Sequence, residues 1–331
     1  MASVDNHDSD RRDIGGWLPG CSDSFDNRRH ALEVADFTLL PLNPARIAYF
    51  REYLRRYFNH SFVYGQGTED LLVLLKNNQK NGDWLDVGAG TSTLFWSLAL
   101  GGAASVTCGD IVPEALKVLD EFRHADEIPP CYVEAAVMMG SDPTKLRARS
   151  LPCRYVVFDA HRPWPGHLLG KYQMITALGC FGTARGPAAY TTALAAAHSF
   201  LKPGGILMGC DWSRSRAFVA SEGLDNRYMT RDFLTRAARG AGFEVVQVEQ
   251  YPIMGDPLYD HVVGYALRPT ATQHDRPGRV SGGRLTEQPG TKRRPSDPQR
   301  MKTARSKKSS RDRSRLRAQE RKHARTHTPL G

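Results

Sequence analysis

Leu85-Asp86-Val87-Gly88-Ala89-Gly90-Thr91-Ser92-Thr93 decides how this chain is read. An apolar run ends in an acid, and two glycines follow one residue apart. A hydroxyl-rich turn then opens the apolar stretch of Leu94, Phe95, Trp96, Leu98 and Leu100. That order spells a strand, a tight loop and a helix start. Glycine lets the backbone approach a ligand with no Cβ in the way, and the N–H groups at a helix start attract negative charge. The segment reads as a nucleotide-type cofactor site.

Working outward, strands and helices alternate. Asn43 and Pro44 form a helix start, with Asn as cap and Pro in the first position. Ile47, Phe50, Tyr53, Leu54 and Tyr57 then mark one helical face. A second helix follows Thr68. Strand 83–88 leads to helix 92–100, and strand 104–109 to helix 113–124. A strand is expected at Tyr132–Val137, followed by strands Tyr155–Phe158 and Met174–Leu178, helix 187–201 and strand Ile206–Gly209. Helix 230–241 precedes strands Phe243–Val248 and His261–Leu267, which have no helix between them and read as an antiparallel pair. The pattern predicts an α/β, doubly wound sheet.

The chain has 331 residues and a formal charge of +10. Thr270–Gly331 holds 18 Lys and Arg against 5 Asp and Glu, so the tail carries +13 and the remainder −3. Three segments follow: a polar N-terminus, 1–30, read as disordered; a folded domain, 31–268; and a basic tail, 269–331, too poor in large apolar residues to offset the ordering of its backbone. The six cysteines form no C-x-x-C pair and read as reduced thiols. No signal peptide or membrane-length apolar run is visible, so a soluble, cytoplasmic protein, monomeric and without a membrane partner, is expected. His323 and His327 have helical ligand spacing but no companions, and no metal is expected.

Three ligand classes use a glycine-rich loop after a first strand. A P-loop requires G-x-x-x-x-G-K-[ST], and no such string occurs. A dinucleotide fingerprint requires a third glycine where Thr93 stands. The third class is the S-adenosylmethionine (SAM) loop, which this segment resembles: apolar strand, acid, apolar, Gly, small, Gly. Asp86 suits a cofactor whose methionine end carries an ammonium. Asp110 ends the next strand about 20 residues past the loop, where an acid accepts ribose hydroxyls, and Ile111 can lie on an adenine face. The turn Lys202-Pro203-Gly204-Gly205 before strand Ile206–Gly209 matches the same enzymes.

Three stretches resemble the nicotinamide, phenylethanolamine and thioether (indolethylamine) methyltransferase family: Arg51–Phe58, the glycine loop, and Tyr190–Gly205. The resemblance implies a class I methyltransferase fold, a Rossmann-like sheet of seven strands with an N-terminal helical lid, and SAM as cofactor. It implies that Tyr53 closes over the cofactor. Phe58 takes the place of a second family tyrosine, and Ser92 that of a hydroxyl ligand. Gly88, Ala89 and Gly90 line the loop. Asp159 and Ala160 fall where the adenine is held, Leu178 beside the cofactor, and Asp211 where an acid faces the acceptor.

Methyl transfer from a sulfonium is an in-line displacement, so the protein mainly aligns the reacting atoms and excludes water. The leading expectation is transfer to a small amine, with Tyr53 on the lid and Asp211 holding the ammonium and taking its proton. Transfer to O or S of a small molecule is the alternative. A nucleic-acid-associated methyltransferase is another, through the basic tail 270–331. Phe181, Trp212, Tyr228 and Trp164 are candidate walls for the acceptor, and His161 a candidate base.

Overall fold

Gly82–Val87, the strand ahead of the glycine loop, sits mid-sheet with Trp84, Leu85, Asp86 and Val87 all buried, as the nearly continuous apolar run requires of a strand covered on both faces. The computed structural model describes residues 25–144, 149–253 and 255–270. Within them the chain order is α1 (Asn27–His30), β1 (Leu32–Val34), α2 (Pro44–Phe58), α3 (Thr68–Asn78), β2 (Gly82–Val87), α4 (Thr93–Trp96), β3 (Ala103–Asp110), α5 (Pro113–His124) and α6 (Pro130–Met138). It continues through β4 (Cys153–Val157), β5 (Tyr172–Leu178), α7 (Pro187–Phe200), β6 (Leu201–Arg214), α8 (Arg216–Glu222), α9 (Arg231–Gly240), β7 (Phe243–Pro252) and β8 (Tyr259–Pro269).

The strands form one sheet in the order β1-β4-β3-β2-β5-β6-β8-β7. The inner pairs are parallel. β8 is antiparallel to both β6 and β7, as the missing helix between the last two strands predicts. The order reverses between β2 and β5, and an open α/β sheet binds its ligand at the strand ends of such a reversal. One core packs the sheet against α3, α5 and α6; the other packs it against α7 and α9. Successive side chains on a strand point to opposite faces, so parity decides which core each residue joins.

Three expectations are corrected. The sheet has eight strands rather than seven: β1, three residues long, adds antiparallel to the edge of β4, and α1 just before it lies within the stretch read as disordered. Residues 130–138 form helix α6 and not a strand. Pro130 occupies its first position, and Cys131, Tyr132, Ala135 and Ala136, at helical spacing, are buried; that stripe outweighs the strand preference of Tyr132 and Val133. The helix expected over 92–100 is a single α-turn, α4, followed by a 3₁₀ turn at Ser97–Ala99. No helix among the described residues is long and apolar enough to cross a membrane, and none of their side chains form a metal-ligating cluster. Cys108, Cys131, Cys153, Cys180 and Cys210 are all thiols. Residues 271–331, with the basic tail and His323 and His327, lie outside the described residues, as does Cys21.

Candidate functional site

At the carboxyl end of β2 the chain turns through Gly88 (φ 68°) and Gly90 (φ 49°). The loop is held tightly. Gly88 N and Ala89 N both donate to Gly109 O at 2.8 and 3.0 Å, and Gly90 N donates to Asp110 Oδ2 at 2.9 Å. A Cβ at Gly88 would lie 2.5 Å from Cys180 Cβ and Sγ, so the first glycine is required by packing as well as by its backbone angle.

A cavity of about 780 Å³ opens over this loop. Its floor is Gly88, Gly90, Thr91 and Ser92. Its roof is the inner face of α2: Arg46, Tyr49, Phe50, Tyr53, Tyr57 and Phe58. The far wall carries Leu178, Gly179, Trp212, Asp256 and Tyr259. Helix α2 buries none of its own residues and is tied to α5 by polar contacts at its rim. Asn43 N donates to Glu114 Oε1 at 2.9 Å, and Arg51 forms a bidentate pair with Glu121 at 2.8 and 3.0 Å. A helix packed this way has the character of a lid. Tyr53, 37% exposed, lines the cavity with Tyr57 at 4.7 Å between ring centroids. Desolvation, then the phenols of Tyr57, Tyr49 and Tyr259, push its hydroxyl upward, so Tyr53 stays protonated and can donate a hydrogen bond but not act as a base.

Of the residues expected at the site, Tyr53, Phe58, Gly88, Gly90, Ser92 and Leu178 line this cavity. Ala89 is buried in the core beneath it. Asp110 does not itself line the cavity but braces its floor: its Oδ2 holds Gly90 N and its Oδ1 Val112 N, at 2.9 Å each. Desolvation raises its pKa, against the backbone donors, which lower it. Val112 and not Ile111 is the apolar residue that reaches the cavity wall from this loop. The Asp110 carbonyl accepts from Phe158 N at 3.0 Å, which sets Asp159 and Ala160 next to Asp110. Neither Asp159 nor Ala160 lines the cavity.

Two expected acids turn away from it. Asp86 is buried between two threonines: Thr93 Oγ1 and Thr176 Oγ1 each donate at 2.6 Å, and Thr176 accepts from Trp84 Nε1 at 2.7 Å. Desolvation lifts its pKa to about 6. Asp86 braces the loop from below and does not reach an ammonium in the cavity. Asp211 is 1% exposed. Its Oδ1 accepts from Gly182 N at 2.6 Å and its Oδ2 from Tyr190 Oη at 2.8 Å. Desolvation raises it to about 7. On β6, Met208 and Cys210 face one core and Leu207 the other. Asp211 shares the parity of Leu207 and points toward α7, while its neighbour Trp212 faces the cavity. The expectation that Asp211 faces the acceptor is corrected by this parity.

Of the aromatic candidates, Trp212 alone among the described residues lines the cavity; Phe181 and Trp164 are core residues of the opposite face, and Tyr228 packs there too. His161 Nε2 lies 3.0 Å from Thr183 Oγ1, and desolvation lowers its pKa; it does not line the cavity. The sequence reading missed Arg46, Thr91, Asp256 and Tyr259. Arg46 had a signal, since it extends the Tyr49/Phe50–Tyr53–Tyr57 stripe by one turn. Asp256, in the β7–β8 turn, had none.

The floor fits a SAM-type cofactor on its own geometry. Two glycines present backbone without side chains, and an acid closes the second strand. Thr91 Oγ1 is buried at the cavity with no hydrogen-bond partner among the described residues, and such a polar atom is costly unless a ligand satisfies it. Residues 50–248 match the family model described as methyltransferase domain. The chain belongs to that family. It is a SAM-dependent methyltransferase, and its methyl donor is S-adenosyl-L-methionine.

Solved structures with a similar fold include the N-methyltransferase NodS from Bradyrhizobium japonicum WM9 in complex with S-adenosyl-L-homocysteine. It is 12% identical, over 67% of this chain and 99% of that one, with a TM-score of 0.43. Magnesium protoporphyrin IX methyltransferase (ChlM) from Synechocystis PCC 6803 with bound SAM is 15% identical, over 66% and 90%, with a TM-score of 0.42. An O-methyltransferase family 2 protein from Planctomyces limnophilus DSM 3776 in complex with apigenin is 18% identical, over 57% and 50%, with a TM-score of 0.37. No curated protein matches the chain.

Proposed function

We propose that this methyltransferase acts on the nitrogen of a small amine carrying an apolar or aromatic body. The observation that carries the reading is Asp256, the one carboxylate among the described residues lining the cavity. It shares the far wall with Trp212 and Tyr259, in the same cavity that Tyr53 lines from the α2 roof. Rings around a single carboxylate suit an ammonium, through both charge and cation–π attraction. Asp256 Oδ1 is fixed by Leu258 N at 2.7 Å, which orients the carboxylate. Asp256 therefore takes the place that the sequence reading gave to Asp211.

When bound, SAM supplies a methyl group on a sulfonium, already joined to a good leaving group. The remaining work falls to this chain. The floor of Gly88, Gly90, Thr91 and Ser92, tied to Asp110 through Gly90 N, holds the donor. Tyr53, Phe58 and Trp212 close around the acceptor and exclude water. Asp256 binds the amine as its ammonium, takes one proton from it, and keeps the resulting neutral nitrogen in line.

The test is a labelled-methyl assay against aromatic amines, matched phenols and thiols. Label in amine nitrogen is expected, with kcat/KM falling about 10- to 100-fold in Asp256→Asn, the range of a hydrogen bond to a charged group. Equal turnover of phenols, or amine turnover unaffected by Asp256→Asn, contradicts the reading. Labelling of RNA alone would transfer the function to a nucleic-acid acceptor.

A further inference from the structure

Strand β6 outruns its neighbour at the wall of the cavity. Its pairing with β5 ends at Leu178 and Cys210, while β6 continues to Arg214 with β8 on its other side. The edge that β5 leaves open carries Trp212, which lines the cavity. Backbone groups left without a strand need another partner. Asn226, 3% exposed in the loop between α8 and α9, supplies one. Its Nδ2 donates to Trp212 O at 2.8 Å, and its Oδ1 accepts from Arg214 N at 2.9 Å. One side-chain amide thus stands in for the missing strand at both positions.

The same amide reaches the loop after β5. Asn226 Nδ2 also donates to Gly182 O at 3.3 Å, and Gly182 N donates to Asp211 Oδ1 at 2.6 Å. At the head of that loop Gly179 N donates to Cys210 O at 2.7 Å. Gly179 has φ 74°, and a Cβ there would come within 3.2 Å of Trp212 Cζ3, so the indole lies against the glycine. Leu178, Gly179 and Trp212 line the cavity together. Asn226 itself does not line it, so its effect on an acceptor passes through Trp212.

We infer that Asn226 is a positioning residue for the acceptor: by holding Trp212 O and the loop after β5, it fixes the indole against Gly179 in the cavity wall. This rests on the proposed role of Trp212 in closing around the acceptor.

The test is fluorine NMR of the full chain labelled with fluorotryptophan, the Trp212 line being identified by its loss in Trp212→Phe. Asn226→Ala should shift or broaden that line and leave those of Trp84 and Trp164 in place. Asn226→Asp keeps the shape and an acceptor for Arg214 N but loses both donated bonds. It should move the same line, and it keeps the test open if Asn226→Ala does not fold. With benzylamine as acceptor, both variants should raise KM about three- to tenfold, the share of one hydrogen bond. Unchanged kcat and unchanged S-adenosylhomocysteine affinity should accompany this. In a Trp212→Ala background Asn226→Ala should add nothing, because both act on one wall. A Trp212 line unmoved in both variants overturns the clamp. Movement of the Trp84 and Trp164 lines along with it marks a general loss of packing and overturns it too. If the Trp212 line moves while the benzylamine KM does not, the role in acceptor positioning is overturned. If benzylamine is not methylated at all, the amine reading fails, and the Trp212 line still decides the clamp.

Discussion

Replacing Asp211 by Asn separates a structural acid from a catalytic one. The carboxylate is buried, and desolvation lifts its pKa from 3.8 to about 7. By about 1.36 kcal/mol per pH unit, that difference corresponds to about 4 kcal/mol between the two protonation states. The sign follows from linkage. The folded chain binds this proton more tightly than the unfolded chain, so the stability it contributes is complete below about pH 4 and is lost as pH rises through about 7. At pH 8 the wild type holds a buried charge that the amide lacks. Asn can still accept from Gly182 N and donate to Tyr190 Oη, so two hydrogen bonds to a charged group become neutral ones, a loss of about 1–1.5 kcal/mol each. The net expectation is a variant about 1–2 kcal/mol more stable than the wild type at pH 8, or about 2–8 °C in Tm at about 2–4 °C per kcal/mol, and no more stable at pH 5. Thermal unfolding at both pH values reads this, and methyl transfer measured in parallel should be retained. A variant of unchanged Tm whose transfer falls 100-fold would refute the reasoning and return Asp211 to the acceptor site.

Gly88→Ala puts a Cβ 2.5 Å from Cys180 at a left-handed φ. Strain of about 1–2 kcal/mol and overpacking of about 1–3 kcal/mol should lower Tm by about 5–15 °C and abolish saturable SAM binding in a thermal-shift titration. Tyr53→Ala, on a helix that buries none of its residues, should leave Tm within about 2 °C, the usual range for a substitution outside the core, while raising the acceptor KM about tenfold; initial-rate kinetics measure it, and Tyr53→Phe should recover the ring contacts. Asp86, lifted to about 6, has the same sign as Asp211, so its stabilising share is complete below about pH 4 and is lost as pH rises through about 6. Urea midpoints should therefore decline over that window in the wild type, and less steeply in Asp86→Asn.

The sheet was legible wherever period and length agreed. Helix α5 has the bounds read for it, and the antiparallel β7–β8 pair follows from the missing crossover. Tyr132–Val137 was misread because Tyr and Val favour strands locally, while the buried stripe of Cys131, Tyr132, Ala135 and Ala136 is a tertiary effect. β1 is three residues long, too short for any periodicity. At the site, residues fixed by the loop itself, Gly88, Gly90 and Ser92, lie on the cavity floor. Residues that depend on strand parity fared worse: Asp211 and Trp212 are neighbours with opposite outcomes, and a one-residue shift exchanges them. Asp256 sits in a turn whose position over the sheet is set by β6, β7 and β8 together, so nothing in its own neighbours marks it.

The central claim is that the methyl donor lies on the floor of Gly88, Gly90, Thr91 and Ser92, closed by Asp110. Isothermal titration of S-adenosylhomocysteine into the wild type, Asp110→Ala and Asp211→Asn tests it most directly. The account predicts one saturable site in the wild type, affinity reduced at least tenfold in Asp110→Ala, and affinity unchanged in Asp211→Asn. Equal affinity in the wild type and Asp110→Ala, or its loss in Asp211→Asn with the fold intact, would contradict it.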